Sequence, residues 1–205
     1  MWKKLWKSIA AGTVLAGLCI CLAASDATAS IEGLTGSSFT LTAKTGNITT
    51  GDGGSVFIWG YANGGSTVQY PGPTLILEQN DMITVTLNNQ LNVPVSIVFP
   101  GQTGVNATGG VQGLLTREAP PGGSVTYTFR ALQPGTYAYH SGTDIALQIE
   151  MGLVGAIIVR PSGAAMTAYG TADSMYDHEY LFLLTEMDPR IHEIVRFQGP
   201  EGLAG

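Results

Sequence analysis

The chain has 205 residues, with 9 basic side chains against 15 acidic ones, a net charge of −6, 28 glycines and only two cysteines. An acidic balance of this kind cannot neutralise a run of phosphates, so nucleic-acid binding is excluded as the main role. Both cysteines, Cys19 and Cys21, fall in an N-terminal stretch that reads as a leader, which leaves the rest of the chain without a disulfide or a thiol nucleophile.

Residues 1–29 carry the marks of a secretory signal. Lys3, Lys4 and Lys7 form a charged start, Ile9 to Leu22 a short apolar run, and Ala27-Thr28-Ala29 a small-residue cleavage site before Ser30. The apolar run is shorter than the roughly 20 residues that a spanning helix needs. No stable membrane span is therefore expected after cleavage, and the product is expected to be periplasmic or secreted. Leu18 and Ile20, rather than small residues, precede the two cysteines, which argues against a lipid-modified leader. Without this leader, six basic residues face fourteen acidic ones, a balance of −8.

From Ser30 onward the periodicity is that of strands. Ser55 to Tyr61 is rich in β-branched and aromatic residues. Thr74 to Leu77 follows the turn cluster Pro71-Gly72-Pro73. Met82 to Leu87 alternates, which puts Ile83, Val85 and Leu87 on one face. Val93 to Phe99 is predicted as a further strand, and the glycine-rich Gly101 to Gly113 as a long surface loop. Ser124 to Arg130 alternates again, with Val125, Tyr127 and Phe129 inward. Thr136 to His140 and Leu153 to Val159 complete the set, with one helical turn between them at Asp144 to Met151. Short strands punctuated by Gly/Pro turns predict an all-β sandwich or barrel.

Beyond Pro161 the character changes. Ser162 to Ser174 is small and polar, like a linker, and Glu179 to Glu186 reads as another strand, with Asp188 to Ile191 as a turn after it. The expected organisation is a leader at 1–29, a sandwich domain at 30–162, and at 163–205 a linker plus the first segment of a truncated second domain.

Five ordered segments resemble the first cupredoxin domain of multicopper oxidases. Tyr70-Pro71-Gly72-Pro73-Thr74 is similar to the family's strand-opening segment, and Glu78 to Val85 to the strand after it. Ala119-Pro120-Pro121-Gly122-Gly123-Ser124-Val125-Thr126-Tyr127 resembles the family's proline-glycine turn and its following strand. Gln133-Pro134-Gly135-Thr136-Tyr137-Ala138-Tyr139-His140-Ser141 and Gln148 to Val159 resemble two more of its segments. The resemblance covers roughly residues 55 to 160 and implies a Greek-key cupredoxin sandwich or barrel that takes part in copper chemistry.

The departures narrow what the resemblance implies. Where the family has His-Trp-His-Gly, this chain has Val98-Phe99-Pro100-Gly101, and where it has His-Ser-His, this chain has His140-Ser141-Gly142. Of the four histidines that the family's first domain gives to a trinuclear copper cluster, His140 alone remains. The related two-domain copper nitrite reductases place a blue-copper cysteine at the position of Ser141, so a blue copper in this domain is excluded. Gln148 resembles the multicopper-oxidase glutamine at its position. Asp144 and Glu150 are candidates to support His140, while Met151, Tyr137 and Tyr139 read as packing residues. His178 and His192 carry no ligand motif. Thr116-Arg117-Glu118 is predicted to hold a surface ion pair.

The expected role is thus the N-terminal domain of an exported copper-binding oxidoreductase. His140 would be the one metal ligand, with the copper site completed by a downstream cupredoxin domain or a neighbouring subunit; a homo-oligomer is compatible with this. The alternative is a copper-free structural module with lost ligands. A binding module that uses the Gly101 to Gly113 loop is a third reading.

Overall fold

A computed structural model describes residues 30–164 and 166–203. Residues 1–29, expected to be a leader and holding Cys19 and Cys21, lie outside the described residues. The architecture is all-β, as the alternation predicted. One sheet has the order β1-β4-β11-β10, built from β1 (Leu34–Thr35), β4 (Leu75–Glu78), β11 (Val154–Arg160) and β10 (Gly135–His140). The other has the order β3-β2-β5-β9-β6, from β3 (Ser55–Asn63), β2 (Ser38–Thr49), β5 (Met82–Asn89), β9 (Ser124–Arg130) and β6 (Asn106–Gly109). A small hairpin pairs β7 (Val111–Gln112) with β8 (Arg117–Glu118). β4 and β11 run parallel, as do β2 and β5, so the chain crosses repeatedly between the sheets.

Alternation explains the core between them. Ile83, Val85 and Leu87 of β5 and Val125, Tyr127 and Phe129 of β9 all point inward and are buried, as their spacing predicts. They meet Leu75 and Leu77 of β4, Ile157 and Val159 of β11, and Tyr139 of β10 in one cluster. Burying each such side chain contributes roughly 1.5–3 kcal/mol, the main term holding the sandwich together. Met151 and Tyr139 are fully buried, and Tyr137 packs at the margin of the same core.

Val93 to Phe99 departs from the expected strand. It makes two isolated bridges, Val95 with Ala119 and Val98 with His140. Side chains take over the missing ladder. Tyr61 Oη donates to Ser96 O at 3.1 Å, and Ile97 N donates to Tyr127 Oη at 3.0 Å. Gln148 Nε2 donates to Pro94 O at 2.9 Å, and Asn89 Nδ2 to Val93 O at 2.7 Å. Pro94 has no N–H to give a neighbouring strand, and the buried backbone is satisfied from the core instead.

The Gly101 to Gly113 segment is also more ordered than a plain loop. β6 within it pairs with β9, and Arg117 ties its glycines down by donating to the carbonyls of Gly109 (2.5 Å) and Gly110 (3.0 Å). Arg117 and Glu118 therefore do not form the expected ion pair; Glu118 instead accepts from Thr143 Oγ1 at 2.8 Å.

α1 (Ile145–Glu150) sits between β10 and β11, where the sequence places a helical turn. After β11 two expected elements differ. Glu179 to Glu186 forms no ladder with any described strand. It alternates instead between half-buried Leu181 and Leu183, which line a groove of about 420 Å³ with Tyr70 and Pro71, and exposed Tyr180, Phe182 and Leu184. The expected turn at Asp188 to Ile191 is the start of a helix, α2 (Pro189–Gln198). Asp188 caps it by accepting from Arg190 N at 2.9 Å, and Pro189 stands at its first position.

Anchors at both ends hold the unpaired segment, and within it Thr185 Oγ1 accepts from Tyr70 Oη at 2.5 Å. At one end Arg160 grips Glu179 through two hydrogen bonds, Nη2 to Oε1 at 2.6 Å and Nη1 to Oε2 at 3.1 Å, and Ile31 N also donates to Oε1. At the other end Asp188 N donates to Glu150 Oε1 at 2.5 Å. The Arg160 hydrogen bonds hold the Glu179 carboxyl below its ordinary range. A lowered carboxylate contributes its stability above the unfolded value of about 4.3 and loses it as pH falls through the folded value. Amide exchange in residues 176–187 is therefore expected to accelerate below about pH 4 before that of the sandwich strands. Simultaneous loss of protection in both would show that Glu179 anchors nothing locally.

Candidate metal centre

His140 is the last residue of β10 and is half-buried. Val98 lies directly opposite it in an antiparallel bridge. Val98 N donates to His140 O at 2.9 Å, and His140 N donates to Val98 O at 3.2 Å. Directly opposed residues in such a pair send their side chains to the same face, about 5.5 Å apart at Cα. Two histidines at these positions would share a metal ion, but a valine occupies one of them.

Gly142 completes the local geometry. A Cβ there would lie 2.7 Å from Val98 Cγ1 and 3.0 Å from Ser96 Oγ. The isopropyl group of Val98 fills the space that a side chain at 142 would need. Pro100 is exposed in the turn after buried Phe99 and offers no donor.

The His140 ring has one nitrogen engaged and one free. Its Nδ1 lies 2.8 Å from Ser141 O. A carbonyl only accepts, so Nδ1 carries the proton and Nε2 presents its lone pair. Nε2 has no hydrogen-bond partner among the described residues, and it is not buried. Metal-binding histidines commonly have this arrangement, with one nitrogen bonded to a backbone carbonyl and the other free.

The residues behind His140 are buried and hydrogen-bonded to one another. Ser141 is fully buried; its Oγ donates to Gln148 Oε1 at 2.6 Å, and its N donates to Leu153 O at 3.0 Å. Ser96 Oγ accepts from Gly142 N and contacts Thr143 Oγ1 at 2.9 Å. The Ser141 hydroxyl is thus spent on an internal bond.

The other predicted residues lie elsewhere. His178 lines a groove near Gly135 and Thr136, at the opposite end of β10 from His140. His192 is buried against β3, its Nδ1 2.5 Å from Phe57 O. Asp144 precedes α1 with a left-handed backbone and makes no capping bond. Glu150 turns toward α2, and neither carboxylate bonds His140. Among the described residues, no group of three or more His, Cys, Asp or Glu side chains is placed to hold a metal ion. No described helix is long and apolar enough to cross a membrane. Sequence reasoning missed the buried position of His192, although Asp188-Pro189 followed by Ile191 and Val195 is a legible helix start.

Residues 44–164, more than half of the chain, match the family described as multicopper oxidase. The chain belongs to the multicopper oxidase family. The iron transport multicopper oxidase fetC of Epichloe festucae is 44% identical over 94 residues, 44% of this chain and 15% of that protein. The copper resistance protein A of Escherichia coli is 33% identical over 127 residues, 62% of this chain and 20% of that protein. The chain thus spans a fifth or less of these two relatives. A multi-copper oxidase from Pseudomonas thermotolerans superposes with a TM-score of 0.52 at 26% identity, covering 63% of this chain and 30% of that one. A copper nitrite reductase from Nitrosomonas europaea superposes equally well at 25% identity, covering 65% of this chain and 44% of that one. The sandwich is therefore a cupredoxin domain of a copper-binding oxidoreductase family.

Proposed function

We propose that this chain is the N-terminal cupredoxin domain of an exported multicopper-oxidase-like protein, with His140 as one copper ligand at a face completed by another domain or subunit. The observation that carries this reading is the His140 ring, with Nδ1 committed to Ser141 O and Nε2 left open. Copper bound there would supply one-electron chemistry. The chain's own part is to hold the imidazole in the correct tautomer and direction.

One imidazole is too few for copper, whose sites take three or four ligands. Val98 and Gly142 supply none, so the remaining donors belong to another surface. The surroundings suit a macromolecular partner: Leu114 is 92% exposed and Leu115 56%, at the tip of the β7–β8 hairpin, with Leu115 close to Gly142. The unladdered Tyr180 to Leu184, apolar on both sides, supports a further β-sheet partner after the sandwich. The charged, apolar and small-residue regions of 1–29 support export.

Copper per protein in the whole, assembled molecule tests the reading. His140→Ala is expected to weaken binding at this centre by at least ~100-fold, while His178→Ala leaves it unchanged. An unaltered copper content in His140→Ala would overturn the ligand role and leave the copper-free structural module.

A further inference from the structure

His192 lies outside the family match, on the inner face of α2, and is 1% exposed. Its Nδ1 donates to Phe57 O, so the opposite nitrogen, Nε2, is the one turned toward α1. Nε2 is buried without a hydrogen-bond partner and stands 3.5 Å from Glu150 Oε1. The same carboxylate oxygen accepts from Asp188 N. Glu150 thus bonds α2 at the cap residue, while His192, whose neutral Nε2 has no proton to give the carboxylate, ties α2 to β3 through Phe57 O and so fixes where that cap stands.

Glu150 ends α1, a helix of six residues. So short a helix has no stability of its own in water. Asp144 at its start makes no side-chain cap bond, and the first turn holds no acidic residue. Contacts from outside must therefore fix its position. On one side these are Gln148 to Ser141 and Pro94; on the other it is Glu150 to Asp188, whose place His192 fixes through Phe57 O. Gln148 and Glu150 are two residues apart, so a shift at one end of α1 reaches the other.

We propose that Glu150 and His192 are positioning residues for His140. They clamp α1 from behind, and Gln148 passes the constraint to Ser141, whose carbonyl selects the Nδ1–H tautomer of His140. The importance of that tautomer rests on the ligand role proposed for His140, but the clamp does not. Loss of the clamp frees α1 to move, lengthens the His140–Ser141 bond and returns the ring to the tautomer mixture of a free imidazole.

Long-range proton–nitrogen spectra of the full chain, labelled at histidine and free of metal, read this directly. In the natural chain His140 is expected almost wholly as the Nδ1–H form. In Glu150→Ala and in His192→Ala that share falls and the Nε2–H form appears. Glu150→Gln keeps an oxygen for Asp188 N and restores the natural signal. The Asp188 amide resonance reports whether the clamp has opened in each folded variant. An opened clamp with unchanged His140 ring signals overturns the proposal, as does failure of Glu150→Gln to restore them. Because no metal is present, the result is independent of whether His140→Ala alters copper content.

Discussion

Val98→His and Gly142→His together are expected to create a tight site for copper or zinc, at least ~100-fold tighter than the natural chain offers. Position 98 faces His140 across the bridge, and position 142 follows it by two residues on the side where Val98 now packs. Three imidazoles converging with one open position form a common catalytic metal set. The backbone at Gly142 is not left-handed, so the obstacle to a side chain is Val98 alone with its neighbour Ser96. Gly142→His by itself should cost about 1–3 kcal/mol through overpacking, and the double variant should recover most of that. Calorimetric titration with zinc and denaturant midpoints would measure both effects. A double variant that binds no better than the natural chain would show that 98, 140 and 142 do not converge. The natural residues 30–205 should show no intense blue absorption, because they hold no cysteine.

Tyr139→Ala is expected to lose about 3–5 kcal/mol of stability. Tyr139 is wholly buried one residue before His140, with its ring 5.5 Å from that of Tyr61 and its hydroxyl donating to Pro73 O at 2.8 Å. Burial also pushes its ionisation well above the ordinary tyrosine value, so it stays protonated. Gly155 lies against it so closely that a Cβ there would come within 2.4 Å of the ring. The site is a lock between β10, β11 and the Pro71–Pro73 turn, and no smaller side chain fills it. Tyr139→Phe should cost only about 1–2 kcal/mol, for the buried carbonyl left without its donor. Urea unfolding separates the two; a loss below about 1 kcal/mol for the alanine variant would mean that the core closes around the gap.

The sandwich was legible where side chains obey a single period. β5 and β9 alternate cleanly because one face meets the core and the other meets water, and the Gly/Pro turns mark where each strand stops. Legibility failed where long-range side-chain contacts override local pattern. Val93 to Phe99 has the composition of a strand, but Tyr61, Tyr127, Asn89 and Gln148 take its hydrogen bonds. Glu179 to Glu186 has the composition of a buried strand and finds no described strand to pair with. His140 was legible as a ligand candidate from its motif. The steric cause of the glycine at 142, and the tautomer fixed by Ser141, needed the fold, because residues 96, 98, 141 and 142 meet only across strands. Glu150 and His192 were further out of reach, since 42 positions separate them in sequence.

The suspended segment also has a consequence for self-association. Tyr180-Leu181-Phe182-Leu183-Leu184 is uncharged, free of proline and glycine, and suited to β-structure, the profile of a fibril-forming window. Asp177, Glu179, Glu186 and Asp188 bracket it. Stacked in register, copies of this segment would bring like carboxylates together at each rung; Glu179 has Arg160 and Asp188 has Arg190 to offset its charge, while Asp177 and Glu186 have no ion-pair partner among the described residues. The brackets act as gatekeepers against assembly of this segment with itself.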